Sequence, residues 1–168
     1  EVDRQMSTYR ADSDLSRFNR LPAGSCEQMP APVLELIGYA DELSRLSEGR
    51  FDITIQPLLN VWGFGPASRD RQIPSEEAIS EARTRMGHQH LSIESNQLCK
   101  EIDLKLDLNS IAAGYTVDRI AANFEELGIH SYMIEVTGEL IAKGKKPDGS
   151  PWRIAIEQPV GDGERVLQ

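Results

Sequence analysis

Long apolar runs are missing from this chain. No stretch approaches the roughly 18 consecutive apolar residues of a membrane-spanning helix, so no segment reads as one. Bases are scarce: 18 lysines and arginines stand against 27 acids, for a net charge of −9. That balance argues against nucleic acid as the main partner, because phosphate backbones need a clustered positive surface. It does not exclude a phosphate ligand, since a divalent cation can stand between carboxylates and a diphosphate. Cysteine is nearly absent. Cys26 and Cys99 are far apart and make no CxxC pair, so one disulfide and two free thiols are both open and the compartment is not legible from them. No GxSxG, HExxH or P-loop occurs. Gly138, Gly144 and Gly149 lack both the GxGxxG spacing and a following helix, which removes the dinucleotide-fold reading. His88-x-His90 has no third ligand within reach by spacing and reads as an exposed loop-to-strand edge.

What is present suits a folded domain. The chain has 168 residues, 39% of them hydrophobic, and a mean hydropathy of −0.41, which is single-domain size with enough apolar surface for a core. Asp12 or Ser13 can cap a short helix carrying Leu15 and Phe18. Over 32–49, Val33, Leu34, Leu36, Ile37, Ala40, Leu43 and Leu46 fall at helical spacing, with Pro32 in the first turn and Gly49 past the end. FDITI (51–55) reads as a strand leading into a Trp62-Gly63-Phe64-Gly65 bend. A helix follows from Pro74-Ser75-Glu76-Glu77 to about Met86, closed by Gly87. Strands are expected at 90–94 and 102–106 around Ser95-Asn96, then a strand end passing into a helix that Gly128 stops. Ile111, Tyr115, Ile120, Phe124 and Leu127 give that helix its apolar side. Strands at 132–136, 140–143 and 152–156 complete the order. Helices and strands mix without strict βαβ alternation, which predicts an α+β fold with a largely antiparallel sheet covered by helices.

Two places could carry chemistry. In LDLNSIAAGY (106–115), a strand ending at Asp107 enters a helix through small residues, so free backbone N–H groups and small side chains would admit an anionic ligand. The same pattern also describes an acid that merely caps a helix packed tightly on a sheet. Asp52 has the same duality: it can satisfy turn amides at a helix-to-strand junction or face a ligand. Tyr9, Phe51, Trp62 and Phe64 lie at or near such junctions and could wall a flat heteroaromatic ring, or could be core.

MSTYRADSDLSRFN (6–19), FDITIQPLLNVWGFGP (51–66), LDLNSIAAGYTVDRIA (106–121), VTGELIAKG (136–144) and PWRIAIEQP (151–159) occur in this order across essentially the whole chain. Together they resemble the ApbE-type flavin transferases, the FAD:protein FMN transferases once described as thiamine-biosynthesis lipoproteins. The resemblance implies a bilobal, T-fold-like α+β protein that binds FAD with Mg²⁺. Such a protein moves FMN onto a threonine hydroxyl of a target flavoprotein and releases AMP. Alternatives within the same site are an FAD pyrophosphatase yielding FMN and AMP, and a non-catalytic FAD-binding protein. The resemblance also implies a bacterial periplasmic or inner-membrane lipoprotein, held by an N-terminal lipid anchor, whose acceptor is a flavoprotein subunit of a respiratory complex.

Carried over by position, Tyr9 is expected against the flavin, Arg50, Phe51 and Asp52 are expected to contact FAD, and Asp107 to bind it. Ser110 is expected to give the metal an oxygen. Ala113 stands at a cofactor-facing position where relatives commonly carry Lys or Glu, and Thr137 where many have Gly. No catalytic residue is assigned. Glu1 to Met6 reads as the last turns of a helix already under way, and the resemblance makes residues 1–168 the N-terminal to central portion of a flavin transferase. The other half would bring the acids and hydroxyls that complete the metal site, so this portion alone is expected to be inactive or to bind FAD weakly.

Overall fold

Ser13 caps the first helix of the chain that carries fully buried apolar side chains. Its hydroxyl accepts from the Ser16 amide at 3.0 Å and caps helix α2 (Asp14–Asn19), which follows the short α1 (Val2–Met6) and buries Leu15 and Phe18. The computed structural model describes residues 1–64 and 73–155, whose contacts separate into two units, Glu1–Tyr115 and Thr116–Gln168.

The first unit is organised by α3 (Ala31–Leu46), with Pro32 in its first turn and Gly49 past its end donating to the Ser44 carbonyl at 2.8 Å. Val33, Leu36, Ile37 and Ala40 are buried, whereas Leu43 and Leu46, which fit the helical spacing, stay exposed. A three-stranded antiparallel sheet in the order β1-β3-β2 is built from β1 (Ser25–Gln28), β2 (Leu91–Glu94) and β3 (Gln97–Lys100). Cys26 and Cys99 are paired across β1 and β3 and joined in a disulfide, which resolves the question left open by their spacing. β1 gave no sequence signal, because Ser-Cys-Glu-Gln is neither alternating nor β-branched.

Three predicted strands are corrected. FDITI forms no strand: residues 51–55 turn, and Pro57 starts helix α4 (Gln56–Val61). Trp62 and Gly63 therefore end a helix. The Gly63 amide donates to the Asn60 carbonyl and the Phe64 amide to Leu59 at 2.8 Å, with Gly63 at φ 78° where a side chain would be strained. Gly65 lies outside the described residues. The strand expected at 102–106 is replaced by β3, because the turn at Ser95 (φ 59°) sends the chain straight back onto β2. Leu104, Leu106 and Leu108 are fully buried, so that segment imitates a strand's pattern without joining a ladder. Residues 152–155 form no strand, and 156 lies outside the described residues. The helix predicted from Pro74 is α5 (Glu76–Arg83), capped by Ser75 and continued by turns to Gly87. His88–His90 is a single 3-10 turn.

Helix α6 (Asn109–Glu126) starts in the first unit, where Ile111, Ala112 and Tyr115 pack on its core, and continues into the second. There Val117 and Ala121 pack with Tyr132 and Ile134 of the antiparallel hairpin β4 (Tyr132–Val136) and β5 (Glu139–Lys143). Phe124 meets Tyr132 edge to face at 5.4 Å, while Leu127 is exposed. The architecture is the expected α+β with antiparallel strands, divided between two small sheets.

Candidate functional site

Residues 104–107 hold the site together. The Asn19 side chain bridges Leu106 in both directions, donating to its carbonyl and accepting from its amide, each at 2.8 Å. The next amide, of Asp107, donates to the Ile53 carbonyl at 2.8 Å. These bonds tie together the blocks that begin near Tyr9, Phe51 and Leu106, which are far apart in sequence. Asn19 can do this because it is the last residue of α2, where its side chain is not needed by the helix.

Between these blocks lies a hollow of about 300 Å³ lined by Tyr9, Asn19, Arg20, Gln56, Asn60 and Lys105, among others. Tyr9 is largely exposed and offers a ring to a ligand. Among the described residues the hollow's lining carries two cations, Arg20 and Lys105, and no carboxylate, in a chain whose net charge is −9. Gln56 and Asn60 add amide groups one helical turn apart on α4.

Asp107 is buried, and its oxygens accept from the Asn109 amide at 2.8 Å and the Asn109 side chain at 3.0 Å. Burial pushes this carboxyl above its usual range, against the pull of both Asn109 bonds. It therefore caps the start of α6, as the simpler reading allowed. Asp52 is also engaged locally. One oxygen accepts from the Thr54 amide at 2.8 Å and the Thr54 hydroxyl at 2.7 Å, and the other from the His88 amide at 3.2 Å. Thr54, fully buried, accepts in turn from the Gly87 amide at 2.7 Å. Asp52 thus fastens its own turn to the 87–88 segment, and neither it nor Asp107 lines the hollow.

Phe51 packs partly against the core of the first unit, and its amide donates to the Ser47 hydroxyl at 3.0 Å. Arg50 is exposed and lies 3.6 Å from Glu48. Ser110 is exposed in the first turn of α6, and Ala113 is half-buried in the second. Tyr9, Trp62 and Phe64 are exposed, so of the four singled-out aromatics only Phe51 packs against the core. His88 and His90 each face one acid, Asp41 at 2.8 Å and Glu101 at 3.0 Å.

Among the described residues no three His, Cys, Asp or Glu side chains come together as a metal site. A divalent cation takes about six oxygens, and Ser110 offers at most two, so the described residues do not by themselves fit magnesium. The sequence reading missed Asn19, Gln56 and Lys105. Asn19 and Gln56 lie inside the quoted motif blocks, and an Asn at a helix end is a recognisable hydrogen-bonding signal. Lys105 carried no local signal.

Comparison with known proteins follows the same blocks. The ApbE family model matches residues 1–168. A curated FAD:protein FMN transferase of Vibrio cholerae is 44% identical over 169 residues, covering all of this chain and 51% of the relative. One from Haemophilus influenzae is 37% identical over 174 residues, covering all of this chain and half of the relative, 50%. The apo crystal structure of the Pseudomonas stutzeri flavinyl transferase ApbE has 59% identity and a TM-score of 0.89, covering 92% of this chain and 52% of that one. The Vibrio cholerae flavin transferase ApbE has 43% identity and a TM-score of 0.92, covering 99% and 54%. The chain spans about half the length of the curated relatives it matches. With the family model matched from end to end, the chain belongs to the ApbE family.

Proposed function

We propose that this chain is the N-terminal to central portion of an FAD:protein FMN transferase. In the reaction the threonine oxygen of a target flavoprotein bonds to the phosphorus of the FMN half. The bridging P–O bond to adenylate breaks, AMP leaves, and the threonine proton passes to solvent. Such transfer depends mostly on positioning and on charge that meets the phosphates. The observation that carries the reading is the hollow beside residues 104–107, where the Tyr9 ring and the cations of Arg20 and Lys105 suit a flat, anionic ligand. It takes one end of a dinucleotide, and Tyr9 is the residue at which the flavin would pack. The magnesium requirement belongs to the whole protein, because the described residues bring together too few oxygens for it.

The Cys26–Cys99 disulfide favours an oxidising compartment, in keeping with a periplasmic or inner-membrane lipoprotein whose acceptor is a respiratory flavoprotein subunit. The test is to incubate the full-length protein with FAD, Mg²⁺ and a threonine-containing acceptor peptide, then weigh the peptide. A peptide heavier by one FMN unit supports the proposal. Free FMN beside an unmodified peptide identifies a pyrophosphatase, and intact FAD a binding protein.

A further inference from the structure

Lys100 is the one lysine that the core of the first unit swallows whole: it is 2% exposed, at the end of β3. Among the described residues its ammonium forms no ion pair. It donates to the Leu104 carbonyl at 3.1 Å and sits 5.2 Å from the centroid of the Phe18 ring. Burying a charge on such thin compensation costs stability that a methionine of similar length would not. Desolvation accordingly lowers its pKa.

Its contacts show what this placement secures. Residues 104–107 have no strand neighbour, and partners from elsewhere fix them. Lys100 holds the Leu104 carbonyl, Asn19 holds both backbone groups of Leu106, and the Ile53 carbonyl holds the Asp107 amide. Helix α2 contributes twice, with Phe18 under the ammonium and Asn19 on the segment. Between the Lys100 and Asn19 anchors stands Lys105, whose side chain lines the hollow, and directly after them Asp107.

We propose that Lys100 is a positioning residue for the flavin site: its ammonium fixes the Leu104 carbonyl and so sets where Lys105 and Asp107 stand. This rests on the hollow being the FAD site. The experiment compares full-length wild type with Lys100→Met by thermal melting, FAD titration and amide hydrogen exchange. The variant is expected to stay folded, since losing the buried charge offsets the donor that the Leu104 carbonyl loses. Its FAD affinity should fall about tenfold, the equivalent of ~1.4 kcal/mol. The Leu106 and Asp107 amides should exchange faster while those of β1, β2 and β3 do not change. Unaltered FAD affinity, or unaltered exchange at 106 and 107, overturns the proposal.

Should the variant fail to fold, ¹⁵N-lysine labelling of the wild type decides. An Nζ signal for Lys100 with slowed proton exchange supports the tether, and one exchanging as fast as exposed lysines refutes it. If wild type binds no FAD, the functional reading fails, while the exchange and ammonium measurements still judge the tether.

Discussion

Asp107 spends stability where it stands. Its carboxyl sits above the usual range because burial disfavours the charge, so the folded state binds that proton more tightly than the unfolded chain does. The resulting stabilisation is complete below the ordinary carboxylate pKa and is lost as pH rises through the folded one. At neutral pH wild type therefore carries the penalty. Asp107→Asn keeps an acceptor for the Asn109 amide and removes the charge. It is expected to melt a few degrees higher at neutral pH and to lose that advantage in acid. Melting curves across pH check both. Lys105 has a different expectation. It lines the hollow and makes no ion pair among the described residues, so Lys105→Ala should weaken FAD by about tenfold, ~1.4 kcal/mol, and riboflavin, which has no phosphate, far less. Parallel titrations with the two ligands give the ratio.

At the scale of elements, the turn at 52–54 shows how side chains replace regular structure. Thr54 donates to Asp52 and accepts from Gly87, so Thr54→Val leaves the part-buried Gly87 amide and a carboxylate short of a partner. A loss of about 1–3 kcal/mol is expected in denaturant unfolding. In the second unit Glu125 gathers Lys143 at 2.9 Å, Tyr132 at 2.8 Å and His130 at 3.0 Å, and these bonds, that of Lys143 first, hold its carboxyl down to about 2. A lowered carboxylate stabilises the fold above its ordinary pKa and stops doing so as pH falls through about 2. Glu125→Gln should therefore melt lower at neutral pH and match wild type near pH 2, as thermal scans would show. These elements also explain what the sequence could and could not reveal. Helices α2, α3, α5 and α6 were legible because caps and 3.6-residue spacing are local. FDITI misled because Ile53 and Thr54 are buried for tertiary reasons while Pro57 starts a helix, and 102–106 misled because leucines alternate into the core without a ladder. Asp52 and Asp107 were legible as special positions. That their oxygens are taken up by Thr54, His88 and Asn109 depends on contacts no spacing encodes.

At the scale of the whole molecule, one covalent link reaches furthest. Cys26 and Cys99 are 73 residues apart, and the loop they close contains α3, α4 and α5. Closing a loop of that length removes unfolded-state entropy worth about 4 kcal/mol in the chain-entropy account. The bond joins β1 to β3, next to Lys100 in the sequence, so the same strand that is stapled also carries the ammonium facing Leu104. Replacing both cysteines by serine should accordingly lower the unfolding free energy of the first unit by up to about 4 kcal/mol. The second unit's hairpin, which contains neither cysteine, should be spared. Hydrogen exchange followed along the chain distinguishes the two units. Adding reductant to wild type should reproduce the double variant's profile in the first unit and leave the variant itself unchanged. Should reductant leave wild type as stable as before, the link contributes nothing to the fold, and the support it lends to an oxidising compartment goes with it.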